Sequence, residues 1–412
     1  MLENIPHFDM SKSPEKPKLN FIIWLSSFFS CLKHKTKIQK VNMQGIKPPY
    51  ILLCNHNAFF DFKVAAKATF PHRTNSVVAI DGFIKREKLL RSVGGICKRK
   101  FTNDAYLVRQ IKKVLDNKNI IVIYPEARYS LCGTNTPLLE SVGKLVKLMK
   151  VPVVTLINHG HHINHPFWNT SKERGVKPTS STMTCIATSN EITNLTAEEI
   201  TKKINDAFVY DDFAWQKENK IKVTCKSRAE GLEKVLYQCP HCLKENQMET
   251  KDFTLRCKNC NYSWVMNEYG ELMSENSFDP KFSHIPTWYE WERANVRKEI
   301  LNKKYSLNID VHVDALPNAK GFIHLGKGKL IHDLDGFILK GKYNGEDYEY
   351  KWNSKSQYAV HIEYNYLFKF GDCIDLNTLN DTFYIYPEGK DFSVTKISLA
   401  TEEMYKILNQ NS

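Results

Sequence analysis

His56 and Asp61 are residues whose types and spacing could move a proton. They stand in Asn55-His56-Asn57-Ala58-Phe59-Phe60-Asp61, directly after the apolar run 50–54 and just ahead of a helical pattern over 63–70. A carboxylate one short turn beyond a histidine can reach back to the imidazole, fix its tautomer and stabilise the imidazolium that forms. The imidazole could then act as a general base on a hydroxyl. Position 58 is Ala, so no serine nucleophile lies between them. Direct attack by an acceptor hydroxyl therefore fits better than an acyl-enzyme. The same residues also fit a structural histidine at a strand end, with Asp61 capping the following helix.

A second polar segment, Tyr124-Pro125-Glu126-Ala127-Arg128-Tyr129-Ser130, closes another apolar run, 119–124. Before it comes Gly94-Gly95-Ile96-Cys97-Lys98-Arg99-Lys100, a glycine turn followed by three cations, and after it Val151-Pro152-Val153-Val154. In this order and spacing, the four segments resemble the glycerolipid (1-acyl-glycerol-3-phosphate or lysophospholipid) acyltransferase family, over about residues 20–215. His56 and Asp61 match its NH-x4-D block, and Lys98, Arg99 and Lys100 loosely match its basic second block. Tyr124-Pro125-Glu126 matches its FPEG-type third block, and Pro152 lies in its fourth. The resemblance implies transfer of a fatty acyl group from acyl-ACP or acyl-CoA to the hydroxyl of a lysophospholipid such as 1-acyl-glycerol-3-phosphate, in phospholipid synthesis. It implies His56 as base and Asp61 as its orienting partner. Asn55, Lys98, Arg99, Lys100, Glu126 and Arg128 would bind substrate. Two departures bear on the acceptor more than on the reaction. Ala58 replaces the usual Ser, and Ala127-Arg128-Tyr129 replaces Gly-Thr-Arg, which displaces the phosphate-binding Arg by one position. Tyr386-Pro387-Glu388-Gly389 repeats the third block in letters, but no His-x4-Asp precedes it in the late β region, and it reads as a turn.

Cys239-Pro240-His241-Cys242 and Cys257-Lys258-Asn259-Cys260 are separated by 14 residues. Two such knuckles can place four thiolates tetrahedrally around one ion, so Cys239, Cys242, Cys257 and Cys260 are expected to hold a structural zinc. The other seven of the eleven cysteines are scattered, which is no secreted disulfide framework and fits a reducing compartment. His159, His161, His162 and His165 follow a strand end and read as a polar loop near the pocket rather than a metal site.

These groups need elements to position them. Short apolar runs at 50–54, 76–80, 119–124 and 151–157 alternate with helical patterns at 63–70, 104–117 and 138–149, which predicts an α/β domain with a parallel sheet. Beyond the cysteines, a helix starting near Pro286 is followed by β-type segments at 307–313, 321–325, 336–342, 347–352, 358–364 and 382–386, then a helix over 394–408. That pattern suggests a small antiparallel barrel of pleckstrin-homology type with a closing helix. The expected divisions are a tail and membrane-surface helix (1–45), an acyltransferase domain (46–220), a zinc ribbon (231–268), a linker helix (280–302) and a β-rich domain (303–412).

The chain has 412 residues, 42% hydrophobic and 25% charged, with a net charge of +13, which suits a globular protein with an anionic partner. The apolar run 21–32 is too short to span a bilayer and is flanked by Lys18, Lys33, Lys35, Lys37 and Lys40. It fits an in-plane interfacial helix and equally an ordinary amphipathic helix packed on the domain. The expected partners are a membrane phospholipid surface and acyl carrier protein or a CoA thioester. The expected location is cytoplasmic, peripheral on the inner membrane face, with no signal peptide at the N-terminus. Competing readings are a nucleic-acid-binding zinc ribbon and a non-catalytic lipid-binding scaffold. Glu245, Glu249, Asp252, Glu268 and Glu271 around the ribbon weigh against nucleic acid.

Overall fold

The computed structural model describes residues 5–136, 138, 140–169, 173–274, 280–389 and 391–409. Its first sheet contains β1 (Lys37–Val41), β2 (Ile51–Cys54), β3 (Thr74–Ala79), β4 (Gly95–Lys98), β5 (Ile120–Ile123), β6 (Val153–His159) and β7 (Ser180–Ala187), in the order β1-β7-β6-β2-β5-β3-β4. Strands β2 to β6 run parallel. The sheet is not parallel throughout, as the sequence led one to expect: β7 pairs antiparallel with β6, and β1 runs alongside β7. The physical distinction is visible in the residues. β2 is Ile-Leu-Leu-Cys and buried at every position, as a strand covered on both faces must be. β7 alternates buried and half-buried residues along Ser-Ser-Thr-Met-Thr-Cys-Ile-Ala, the signature of a strand with one open face. β4 was read from sequence as a turn and cations, yet it pairs with β3 along its whole length, from Gly95 to Lys98.

The helices form where pattern and caps agree. Ala105–Asp116 begins at Asp104, whose carboxylate accepts from the Tyr106 and Leu107 N–H groups, and buries Ile111, Val114 and Leu115 on one face. The Phe60–Thr69 helix leads away from β2 and packs on the N-terminal helix Asn20–Lys33.

Four short strands, β8 (Met248–Lys251), β9 (Thr254–Cys257), β10 (Ser263–Met266) and β11 (Leu272–Ser274), form the antiparallel ribbon. The helix Ile285–Leu301 then leads into β12 (Leu307–Ala315), β13 (Ile323–Asp333), β14 (Gly336–Tyr343), β15 (Glu346–Asn353), β16 (His361–Glu363), β17 (Cys373–Asn377) and β18 (Thr382–Pro387). These make one antiparallel sheet ordered β15-β14-β13-β12-β18-β17-β16. Among the described residues, its edge strands β15 and β16 do not pair with each other, so the ladder is open where a barrel was expected. β16 is only three residues long, too short to complete a ladder with the eight residues of β15. The final helix, Val394–Asn409, packs on Ile285–Leu301.

The regions are welded together. One buried apolar cluster runs from Leu131, Ile163 and Trp168 of the α/β part through Trp264 of the ribbon and Trp288 of the linker helix to Ile374 and Leu399. A buried ionic network crosses the same boundary. Glu402 pairs with Arg128 and with Arg293 (2.6 Å), while Glu403 pairs with Arg293 (3.3 Å) and Arg297 (2.9 Å). The tail is a strap from Ile5 onward. Phe8 is buried against Phe83 under the Arg91 guanidinium, and its N–H donates to the Pro317 carbonyl.

Candidate active site

Parallel strands deliver their carboxyl ends to one edge of the sheet, where ligands of open α/β sheets bind. The three neighbours β6, β2 and β5 end in His161, His56 and Glu126 respectively, each one to three residues beyond the last strand residue. Adjacent strands lie about 4.8 Å apart, so the topology alone brings these side chains together.

The loop after β2 is tied on both sides. Asn55 donates through Nδ2 to the Asn158 carbonyl (2.9 Å) and accepts the Asn158 N–H (2.8 Å), locking the loop to β6. The Ser130 N–H donates to the His56 carbonyl at 2.8 Å, tying it to the loop after β5. Asn55, which the resemblance implied as a substrate-binding residue, is fully buried with its amide bonded to backbone beside His56.

Asp61 is completely buried in the first turn of its helix. Its Oδ2 accepts the N–H groups of Asn57 (2.6 Å) and Ala58 (2.9 Å) and faces His56 Nδ1 at 3.2 Å. Its Oδ1 faces Nδ1 of a second imidazole, His161, at 2.5 Å. Asp61 does not cap its helix, whose N-cap position is Phe59; it lies in the first turn and ties back the loop before it while facing both imidazoles. Burial pushes its pKa up, but the hydrogen bonds from His161 and His56 outweigh that, and the carboxyl is held down at about 2. With Nδ1 held by the carboxylate, His56 turns Nε2 away from Asp61 and keeps about a quarter of its side chain exposed, at 23%. Its ring lies against those of Tyr124 (4.2 Å) and Tyr129 (4.3 Å). Tyr129 continues into Phe167, which contacts His361 and Tyr364 of the C-terminal sheet.

Sequence reasoning missed His161 by treating the four histidines as one loop. The available signal was its place just after β6, the strand beside β2. His159 and His162 belong to a separate brace: Asp212 accepts the Gly160 and His162 N–H groups (both 3.0 Å) and lies 3.5 Å from His159. Glu126 is buried, and desolvation raises its pKa well above the ordinary carboxyl range despite the nearby Arg128 charge.

The expected cations are each engaged by other groups of the chain. Lys98 donates to Thr102 Oγ1 (2.9 Å) within its own loop, and burial lowers its pKa to about 8. Arg99 is buried, donating to the Leu316 and Pro317 carbonyls (2.9 and 2.8 Å) and to Thr382 Oγ1 (2.7 Å). Lys100 pairs with Asp375 at 3.3 Å. Arg128 pairs with Glu402 and donates to Ser398 Oγ at 2.8 Å. Three of the four thus grip the C-terminal domain. A buried guanidinium or ammonium needs acceptors, and here the C-terminal sheet, its loops and the Val394–Asn409 helix supply them, with Arg99 Nε left without one among the described residues.

The four cysteine sulfurs of Cys239, Cys242, Cys257 and Cys260 lie within 4.8 Å of one another. The Cys239–Cys260 and Cys242–Cys257 separations are 3.8 and 3.7 Å. A tetrahedron of sulfurs about 2.3 Å from a zinc ion has edges of about 3.8 Å, so the donor set fits such an ion. The two knuckles repeat one geometry: Cys239 N–H donates to Lys244 O and Cys257 N–H to Tyr262 O, with positive φ at Leu243 (63°) and Asn261 (62°). These four residues could hold a metal, and their closed coordination would make it structural.

Residues 32–158 match the family model described as Acyltransferase, a span containing His56, Asp61, residues 98–100, Glu126 and Arg128. This supports the glycerolipid acyltransferase relationship read from the four motif segments. A solved structure with some similarity is the 1-acyl-sn-glycerophosphate (LPA) acyltransferase PlsC from Thermotoga maritima, at 13% identity and a TM-score of 0.38, over 46% of this chain and 76% of that one. No curated protein matches the chain.

Because the folded Asp61 pKa is depressed from 3.8 to about 2, the carboxylate stabilises the fold above pH 3.8, and that contribution is lost as the pH falls through about 2. Asp61→Asn should therefore reduce unfolding free energy at neutral pH, by on the order of 2 kcal/mol. In denaturant titrations the gap to the native chain should close as pH falls through that window; a pH-independent gap would contradict the assignment.

Proposed function

Residues 32–158 being an acyltransferase domain, we propose that the chain transfers a fatty acyl group from an acyl thioester, acyl-CoA or acyl-ACP, to the hydroxyl of a glycerolipid-type acceptor at a membrane surface. The observation that carries this reading is the Asp61 carboxylate held between two imidazoles at the carboxyl ends of adjacent parallel strands, with only His56 opening outward. His56 Nε2 takes the proton from the acceptor hydroxyl as its oxygen forms a bond to the thioester carbonyl carbon. Asp61 stabilises the resulting imidazolium. Collapse of the tetrahedral intermediate breaks the C–S bond, and the imidazolium returns the proton to the departing thiolate. Nothing in this path needs a nucleophile on the enzyme, in keeping with Ala58. The acceptor implied by the resemblance is 1-acyl-glycerol-3-phosphate, and the placement of residues 98–100 and 128 bears on it below.

The surface beside the site suits a lipid interface. The Asn20–Lys33 helix exposes Phe21, Ile22, Leu25, Phe28, Phe29 and Leu32 along most of its length, Phe21 at 73%. Phe59 (67% exposed) extends that apolar surface to within two residues of Asp61. Among the described residues no helix is long and apolar enough to cross a membrane. Lys35 and Lys37 beside the helix are exposed and would add attraction to anionic lipid. The reading is a peripheral enzyme on the cytoplasmic membrane face, with zinc in the four-cysteine ribbon.

His56→Ala should lower thioester-dependent acylation by roughly 10²–10⁴-fold with folding intact; near-normal turnover would remove the catalytic assignment. Replacing Phe21 and Phe28 with Glu should reduce co-sedimentation with anionic vesicles, and unchanged binding would place the lipid contact elsewhere. Metal analysis of the purified chain should find about one zinc per molecule, lost together with thermal stability in Cys257→Ser; a metal-free, fully stable protein would refute the site.

A further inference from the structure

The charges around the candidate site point to a particular kind of acceptor. A phosphomonoester is a dianion and is ordinarily met by free guanidinium or ammonium groups that can supply several donors at once. The four cations that the motif pattern would assign to that task are already engaged. Arg128 holds the Glu402 carboxylate, Ser398 and, more weakly, the Val360 carbonyl. Arg99 gives two donors to carbonyls of the 316–317 loop and one to Thr382. Lys100 faces Asp375, itself buried. Lys98 closes its own loop on Thr102.

These contacts do not form a loose latch that a ligand could displace one bond at a time. Glu402 and Asp375 are each at most 3% exposed, so freeing Arg128 and Lys100 would leave Glu402 to Arg293 alone and take from buried Asp375 its ammonium partner. Separation would also open the apolar cluster that runs without interruption from Leu131 to Leu399.

What faces the imidazole is of the other sign or uncharged. Tyr124 and Tyr129 bracket the ring, and Phe167 and Tyr364 extend that wall. Asp61, Glu363 and Asp81 lie near enough to act on the Tyr129 hydroxyl, and the last two also act on Lys100, which is paired with Asp375. Glu363 accepts from His361 at 2.9 Å on β16, at the edge of the C-terminal sheet nearest this wall.

Resting on the acyl-transfer reading, we propose that the acceptor hydroxyl is carried by a molecule without a phosphomonoester, one whose head group is uncharged or bears an amine. The C-terminal sheet sets this preference by occupying Arg99, Lys100 and Arg128 and bringing carboxylates and aromatic rings in their place. The departure of the third block, with Arg128 one position away from the family's arginine, belongs to the same rearrangement: at 128 the side chain reaches the Val394–Asn409 helix.

The test uses the full-length chain in two arms. In the first, acyl-CoA is offered with equimolar 1-acyl-glycerol-3-phosphate, monoacylglycerol and lysophosphatidylethanolamine in the same mixed micelles, and products are followed by mass spectrometry. The phosphomonoester acceptor is expected to be used at least about tenfold less efficiently than the better of the other two; a preference for it overturns the proposal. In the second, sn-glycerol 3-phosphate alone is titrated into the chain by calorimetry. No saturable binding up to millimolar concentration is expected, and binding that disappears in Arg128→Gln or Arg99→Gln overturns the proposal. If no acceptor is acylated and thioester consumption is the same in His56→Ala, the acyl-transfer reading falls, while the calorimetric arm still decides whether the site accepts a phosphomonoester.

Discussion

The Asp61 carboxylate is the interaction on which the site depends. It is fully buried, yet it is met by four donors: two backbone N–H groups from its own turn and the Nδ1 atoms of His56 and His161. A buried carboxylate with fewer partners would take up a proton or force the loop to open. With four, it stays ionised, closes the turn between β2 and the following helix, and sets the tautomer of both imidazoles. The fold supplies those partners because β2 and β6 are neighbours running the same way, so His56 and His161 leave the sheet at one edge. Loop, helix start and catalytic geometry are therefore a single constraint.

Much of this was legible in the sequence because the relevant signals are local. The apolar runs at 50–54, 119–124 and 151–157 predict β2, β5 and β6 to within a residue or two, and the His-x4-Asp spacing predicts the dyad. The cysteine pairs were equally clear, since a metal knuckle is built within four residues. What escaped were features created by pairing between distant segments. β7 and β1 run against the rest of the first sheet, a property of connection rather than composition. β4 was hidden because Gly95-Ile96-Cys97-Lys98 is too short to show a period. His161 could be separated from His159 and His162 only once β6 was known to lie beside β2.

The cations show the same limit in chemical terms. Lysine and arginine near a strand end suit an anionic substrate, and nothing in residues 98–100 or 128 themselves says otherwise. The partners of Arg99, Lys100 and Arg128, namely Leu316, Asp375, Thr382 and Glu402, lie more than two hundred residues later. A residue type predicts the donors it offers, but the acceptors are chosen by tertiary structure. The C-terminal domain thus changes the meaning of the motif without altering its letters.

These two features together bound the site from opposite directions. On one side, Phe59 and the exposed face of the Asn20–Lys33 helix lie next to the turn that Asp61 closes. On the other, β16 and the Val394–Asn409 helix reach Phe167 and Arg128. The helix side would meet an apolar phase, because Phe21, Ile22 and Phe29 stand largely exposed on it. On the proposed reading, the C-terminal side would set the polar environment of the head group, because it engages Arg99, Lys100 and Arg128 and carries Glu363. His56, sandwiched by Tyr124 and Tyr129, sits between them with one free nitrogen. An acceptor with an apolar tail and a polar end bearing a hydroxyl is amphipathic in the same sense as this arrangement, and proton transfer would take place where its two halves meet.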